Sequence, residues 1–268
     1  MCYGVKARTE MSLRIAKSRG DQKAVEQLTR LLSPFPELLA PGGHHFANAF
    51  AHPRMVVYTD DAPCDPQLSL WGLVPAWVKD DAQRKQLWNQ TLNARGESIF
   101  EKPAFRSSAT SKRCLVHVEG FYEHHHFGKK TYPYFIRLKD RDHFALAGLW
   151  EVWKDPESGE RVHTFSIVTT GANELLRRIH NNPGSGKSGP SDPRMPVILS
   201  PDDEALWLAT ITSTSDEEAI KGLIKPFPAD GMVAHPVRPL LGKDGAGNSA
   251  AASEPFEYPE LLLADPLA

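Results

Sequence analysis

The chain has 268 residues, 41% of them apolar and 24% charged, with a formal net charge of −2. That is globular composition, enough for one large domain or two small ones, and no apolar run approaches the roughly 20 residues a bilayer span needs. The near-neutral charge excludes a protein that coats duplex DNA through its overall field and leaves room only for a local basic groove.

The first residues hold no apolar signal stretch, since charges recur from Lys6 onward. Ser12 to Leu32 reads as an amphipathic helix, weakened at Gly20 and stopped at Ser33-Pro34. Phe46 to Thr59 is strand-like, and the apolar run Leu68 to Val78 reads as an edge strand or one entering a turn at Pro75. The β-branched and aromatic segments Arg113 to Glu123, Tyr132 to Leu138, His143 to Trp153 and Val162 to Thr170 predict a strand-rich centre. Ala172 to His180 predicts a short helix, Asn181 to Pro193 a loop and Met195 to Leu199 a strand. Helices over Asp202 to Ile211 and Asp216 to Ile224 and a last strand over Val233 to Val237 follow. The expected fold class is α+β: a single domain over residues 2–241 with a mixed, mostly antiparallel, barrel-like sheet core and peripheral helices. Residues 242–268, rich in Gly, Ala, Ser and Pro, are expected to form a loosely ordered tail with an apolar anchor at Tyr258 to Leu263.

Three cysteines, Cys2, Cys64 and Cys114, leave one unpaired under any disulfide scheme, so a reducing, cytoplasmic setting is expected. Removal of Met1 would give Cys2 a free α-amine. The resulting 1,2-aminothiol condenses with an aldehyde to an imine, which the thiol closes to a thiazolidine. Both groups titrate near neutrality, at about 7.7–8.0 and about 8.5. Asn93 combines a donor and an acceptor, and Arg95 offers a planar fork for phosphate oxygens. Strand alternation puts Glu119, Phe121 and Glu123 on one face, where burial would tune a carboxyl for acid–base work. His180 ends a predicted helix, a position that favours the imidazolium. Each residue alone is explained at least as well as ordinary structure. The run His124-His125-His126 points in alternating directions and lacks partners at ligand spacing, so neither a metal site nor a cofactor is expected. Two basic clusters, Lys6 to Lys23 and Lys102 to Arg113, are candidate phosphate contacts.

Seven motifs in order carry a resemblance: Met1-Cys2, Trp71 to Trp77 (WGLVPAW), Thr91 to Glu97 (TLNARGE), Arg113 to Glu123 (RCLVHVEGFYE), Thr169 to Asn173 (TTGAN), Ile179-His180 and Arg194 to Leu199 (RMPVIL). Together they resemble the SRAP family, the SOS response-associated peptidases or abasic-site processing proteins, over roughly residues 1 to 210. The resemblance implies a DNA-damage role of SOS type: covalent capture, without a cofactor, of the ring-opened abasic-site aldehyde in single-stranded DNA or at a junction of single and double strands. On that pattern the catalytic residues are Cys2 as nucleophile, Asn93 as sugar or cysteine holder, Glu123 as amine positioner and proton shuttle, and His180 as acid–base for ring opening. The same pattern gives DNA contacts at Arg95, at Trp71 and Trp77 as a stacking surface, and at Arg106 and Arg113. A thiol peptidase or N-terminal-nucleophile hydrolase, and a non-catalytic single-strand or junction binder, are the competing functions. A monomer without membrane association is the expected state. The chain departs from the family by reading Tyr3-Gly4-Val5-Lys6 after the cysteine, which leaves Lys6 or Arg8 to supply an early cation. It also has His117 and His124 in the glutamate strand and a long insertion between His180 and Arg194. The Gly184-Ser-Gly-Lys187-Ser188 run inside that insertion lacks the spacing of a phosphate-binding loop.

Overall fold

Alternation of apolar side chains on both faces of the central strands shapes the architecture seen in a computed structural model, which describes residues 2–39, 43–182, 192–261 and 266–267. The strands are β1 (Gly4–Ala7), β2 (His44–Asn48), β3 (Arg54–Thr59), β4 (Ala62–Trp71), β5 (Asn93–Arg95), β6 (Arg113–Val118) and β7 (Gly120–Phe127). They continue with β8 (Lys130–Leu138), β9 (Phe144–Lys154), β10 (Arg161–Gly171), β11 (Arg194–Pro196), β12 (Ile198–Leu199) and β13 (Met232–Pro236). The helices are α1 (Thr9–Ser18), α2 (Gln22–Leu32), α3 (Pro36–Leu39), α4 (Asp81–Trp88), α5 (Arg106–Ser111), α6 (Glu174–Ile179), α7 (Pro201–Leu208) and α8 (Thr214–Lys221).

Strands β10, β4, β3, β6 and β9 close on themselves through the β9–β10 pairing, a mixed barrel in which the β4–β10 pair is parallel. β5 adds to β10 in parallel. A second sheet runs in the order β13-β8-β7-β1-β2 and is antiparallel throughout. Every residue of β6 is buried because both of its faces are covered. Cys114, Val116 and Val118 join Val57, Leu146, Phe165 and Ile167 in a core that continues onto Val5, Phe121 and Ile136 of the second sheet. The alternate residues Leu115, Ala145, Ala147 and Leu149 face a separate core closed by Trp207 and Ile220 of α7 and α8. The fold is α+β with peripheral helices.

Three local features differ from the sequence pattern. The first amphipathic stretch is two helices, with Gly20 at φ +67° between them and Asp21 accepting from Ala24 N–H at 2.9 Å to start α2. Arg113 to Glu123 is two strands, because the chain bends at Glu119 and leaves the barrel for the second sheet. At Gly120 a Cβ would come 2.4 Å from the Phe135 ring, so the bend needs a residue without one. The bend breaks the alternation: Glu119 pairs with Lys6 and Arg8, whereas Glu123 reaches His180. The expected loose tail is also corrected. Residues 242–261 pack against the second sheet, with Ala252 buried beside Phe46 and Tyr122, Lys6 Nζ donating to Ser253 Oγ at 2.8 Å, and Leu261 in the main core. Small residues allow that close docking; part of the Tyr258 to Leu263 anchor lies outside the described residues.

Candidate functional site

Cys2 is buried just ahead of β1. Its backbone is held from two sides: the neighbouring Tyr3 C=O accepts from Ala49 N–H at 2.9 Å, and Asn93 Nδ2 donates to Cys2 C=O at 2.8 Å. Asn93 opens β5, and the strand position is fixed from below by Trp71, whose indole N–H donates to Leu92 C=O at 2.8 Å. Asn93 Oδ1 is buried and has no donor among the described residues, an acceptor held ready beside the cysteine.

Glu123 and His180 meet from different elements, Oε2 to Nδ1 at 3.1 Å. Glu123 Oε1 accepts from His124 N–H at 3.0 Å. Burial alone would raise the Glu123 carboxyl, yet the hydrogen bond from His180 and its charge hold it below the ordinary carboxylate value. Cys2 responds in the opposite sense. Burial, reinforced by the Glu123 charge, pushes its thiol up to about 12, so the sulfur is stored as a neutral thiol. His180 is the C-cap of α6, its N–H bonded to Leu176 C=O at 2.7 Å. The residue after it is clamped: Asn181 Oδ1 accepts from His126 N–H at 2.7 Å, and Asn181 Nδ2 donates to His126 C=O at 2.9 Å. His125 is buried with Nδ1 at 3.1 Å from Arg178 C=O. The histidine run therefore braces α6 against β7, and no group of metal-ligating side chains is found among the described residues.

Four of the sequence-chosen residues thus converge: Cys2, Asn93, Glu123 and His180. Arg95, two residues along β5 from Asn93, is exposed and makes no ion pair among the described residues. Burial, reinforced by the Glu123 charge, raises the Tyr3 hydroxyl above its ordinary value, and the Arg95 charge opposes that rise. Arg194, fully inside, donates to Thr169 C=O at 2.9 Å and to Glu97 at 2.6 Å, tying the Arg95 turn to β10.

Two chosen DNA contacts are corrected. Trp71 is fully buried in the core with its N–H committed to Leu92. Drawing it out would cost about 3–5 kcal/mol, more than the roughly 1–3 kcal/mol a stacked base returns, so it supports Asn93 rather than touching DNA. Arg113 is fully buried too, donating to the carbonyls of Trp207, Ala109 and Ala209, and it serves the helix ends. Trp77 and Arg106 are both exposed, and Trp77 Nε1 donates to Pro103 C=O at 3.2 Å. Sequence reasoning missed an aromatic ledge beside Cys2: Phe50, 53% exposed, lies on Tyr3 with ring centroids 4.8 Å apart. The tight turn Asn48-Ala-Phe-Ala carried no chemical motif to reveal it.

The model of the family described as "SOS response associated peptidase (SRAP)" matches residues 14–244. The abasic site processing protein YoqW of Bacillus subtilis (strain 168) is 38% identical over 172 residues, 64% of this chain and 68% of that protein. The abasic site processing protein HMCES of Gallus gallus is 32% identical over 188 residues, 62% of this chain and 51% of that longer protein. A crystal structure of a Bacteroides thetaiotaomicron protein superposes with a TM-score of 0.78 at 31% identity, covering 96% of this chain and 100% of that one. The chain belongs to the SRAP family.

Proposed function

We propose that the protein processes abasic sites by bonding them covalently to Cys2 in single-stranded DNA. Four side chains that the sequence scatters from Cys2 to His180 meet at one buried point, and that convergence carries the proposal. The names of the relatives agree with it.

After Met1 is removed, the α-amine of Cys2 adds to the C1′ aldehyde of the ring-opened sugar, and loss of water leaves an imine. The Cys2 sulfur then adds to the imine carbon, its proton passes to a neighbouring base, and a thiazolidine closes. The net change is aminothiol plus aldehyde to thiazolidine plus water, without oxidation or reduction. A thiol held neutral suits this order, with the amine attacking first. The Glu123 carboxylate takes the thiol proton, and the His180 ring bonded to it relays protons to and from the sugar oxygen. Asn93 Oδ1 accepts a hydrogen bond from the sugar hydroxyl, Arg95 holds a flanking phosphate, and the Phe50–Tyr3 ledge offers a stacking face to an adjacent base. A thiolate peptidase fits less well, since the thiol is protonated.

The test mixes protein, its N-terminus verified by mass spectrometry, with a single-stranded oligonucleotide carrying one abasic site. A band surviving a denaturing gel is expected, absent with intact DNA and with Cys2→Ser. A heat-stable band from Cys2→Ser would overturn the thiazolidine chemistry.

A further inference from the structure

The N-terminal cations do not stay together in space. Lys23 pairs with Asp65, whereas Lys6, Arg8 and Arg14 line one cleft of about 460 Å3 with Arg137 and Arg141 from β8 and the β8–β9 turn. A second cleft of about 460 Å3 shares Arg14, Arg141 and Asp142 and ends at Phe144, Leu199 and Glu204. Arg19 stands at its edge, 3.8 Å from Glu204. The two form one trough in which six cations meet three carboxylates, Glu119, Asp142 and Glu204. A local excess of positive charge thus sits on a chain whose net charge is −2.

The three carboxylates offset half of the cationic charge. Glu119 is buried and engages Lys6 at 3.4 Å and Arg8 at 2.6 Å. The Arg14–Asp142 pair, 3.4 Å apart, is exposed on both sides and such pairs contribute little. Arg137 and Arg141 are exposed and make no ion pair among the described residues. Guanidinium forks matched to tetrahedral oxyanions, above an apolar edge at Phe144 and Leu199, fit a chain of phosphates joined by sugars.

We infer that this trough seats the sugar-phosphate backbone of a single nucleic-acid strand away from the lesion, an inference that rests on the abasic-site reading of Cys2. Lys6, in β1, is four residues from Cys2, roughly 13 Å at strand rise, so a strand leaving the nucleophile reaches the trough within about four nucleotides at roughly 3.4 Å each.

The experiment compares wild type with an Arg137→Glu, Arg141→Glu variant on three labelled strands. One is an abasic site with a single nucleotide on each side; one extends it by roughly ten nucleotides each way; the third is equally long and intact. The variant is expected to bind the long intact strand roughly tenfold more weakly at low salt, with a log–log salt slope shallower by about 1.4. Its crosslinking to the short strand should match wild type. Arg137→Gln with Arg141→Gln should give an intermediate loss, which separates charge from misfolding. Wild-type affinity and slope in both variants would overturn the trough. If wild type crosslinks neither abasic strand, the Cys2 chemistry fails, and the intact strand still decides the trough.

Discussion

Glu123 is a carboxylate that burial opposes and the His180 ring restores. Glu123→Gln keeps the shape and removes the proton acceptor. Crosslinking to an abasic strand should slow by about 10²–10⁴-fold, while non-covalent affinity for the intact strand stays within a few-fold. Single-turnover band formation beside a binding titration measures both. An unchanged rate would assign the proton to another group. Glu123 and His180 were legible because each belongs to a distinctive run, GFYE and IH. Asn93 was legible as a residue but not in its detail, since the bond to Cys2 C=O joins residues 91 apart. Trp71 was misread because an exposed and a buried tryptophan look alike in WGLVPAW; only the indole bond to Leu92 tells them apart.

Elements owe their placement to polar groups that a sequence pattern treats as surface. Arg113 opens β6, yet its guanidinium satisfies carbonyls at Ala109 of α5 and at Trp207 and Ala209 at the end of α7. Arg113→Met would leave those acceptors buried without donors, destabilising the fold by about 2–4 kcal/mol. Affinity for single-stranded DNA should not change at temperatures where the variant is folded. Thermal melting and a binding titration check the two halves. A stable variant that loses DNA affinity would return Arg113 to the interface. The strands of the barrel were readable from β-branched and aromatic runs, and Gly20 marked the break between α1 and α2. The split of Arg113 to Glu123 at the Glu119 bend was not, because nothing in alternation says where a strand changes sheets.

Over the whole molecule, several groups resist the charge they would carry in water. His117 is buried against Tyr58, and burial, aided by the Arg19 and His143 charges, lowers its pKa from 6.5 to about 3. A depressed folded value means the unfolded chain binds the proton first, so stability present above pH 6.5 is lost as pH falls toward 3. His117→Leu should flatten that acid limb by up to one proton, about 1.4 kcal/mol per pH unit. Chemical denaturation across the range reads the slope, and an unaltered slope would show that His117 does not set it. The packed tail belongs to this scale too: its contacts with Lys6 and Phe46 join segments more than 200 residues apart and it also meets Tyr132, beyond what a composition rich in small residues discloses.

The neutral state of the Cys2 sulfur has a consequence for redox exposure. Peroxide and disulfide reagents attack thiolates, and in the fold Cys2 and Cys114 are buried with raised pKa values, whereas Cys64 is exposed. Oxidants therefore meet Cys64 at the surface first, and the buried Cys2 sulfur is shielded from them by the fold.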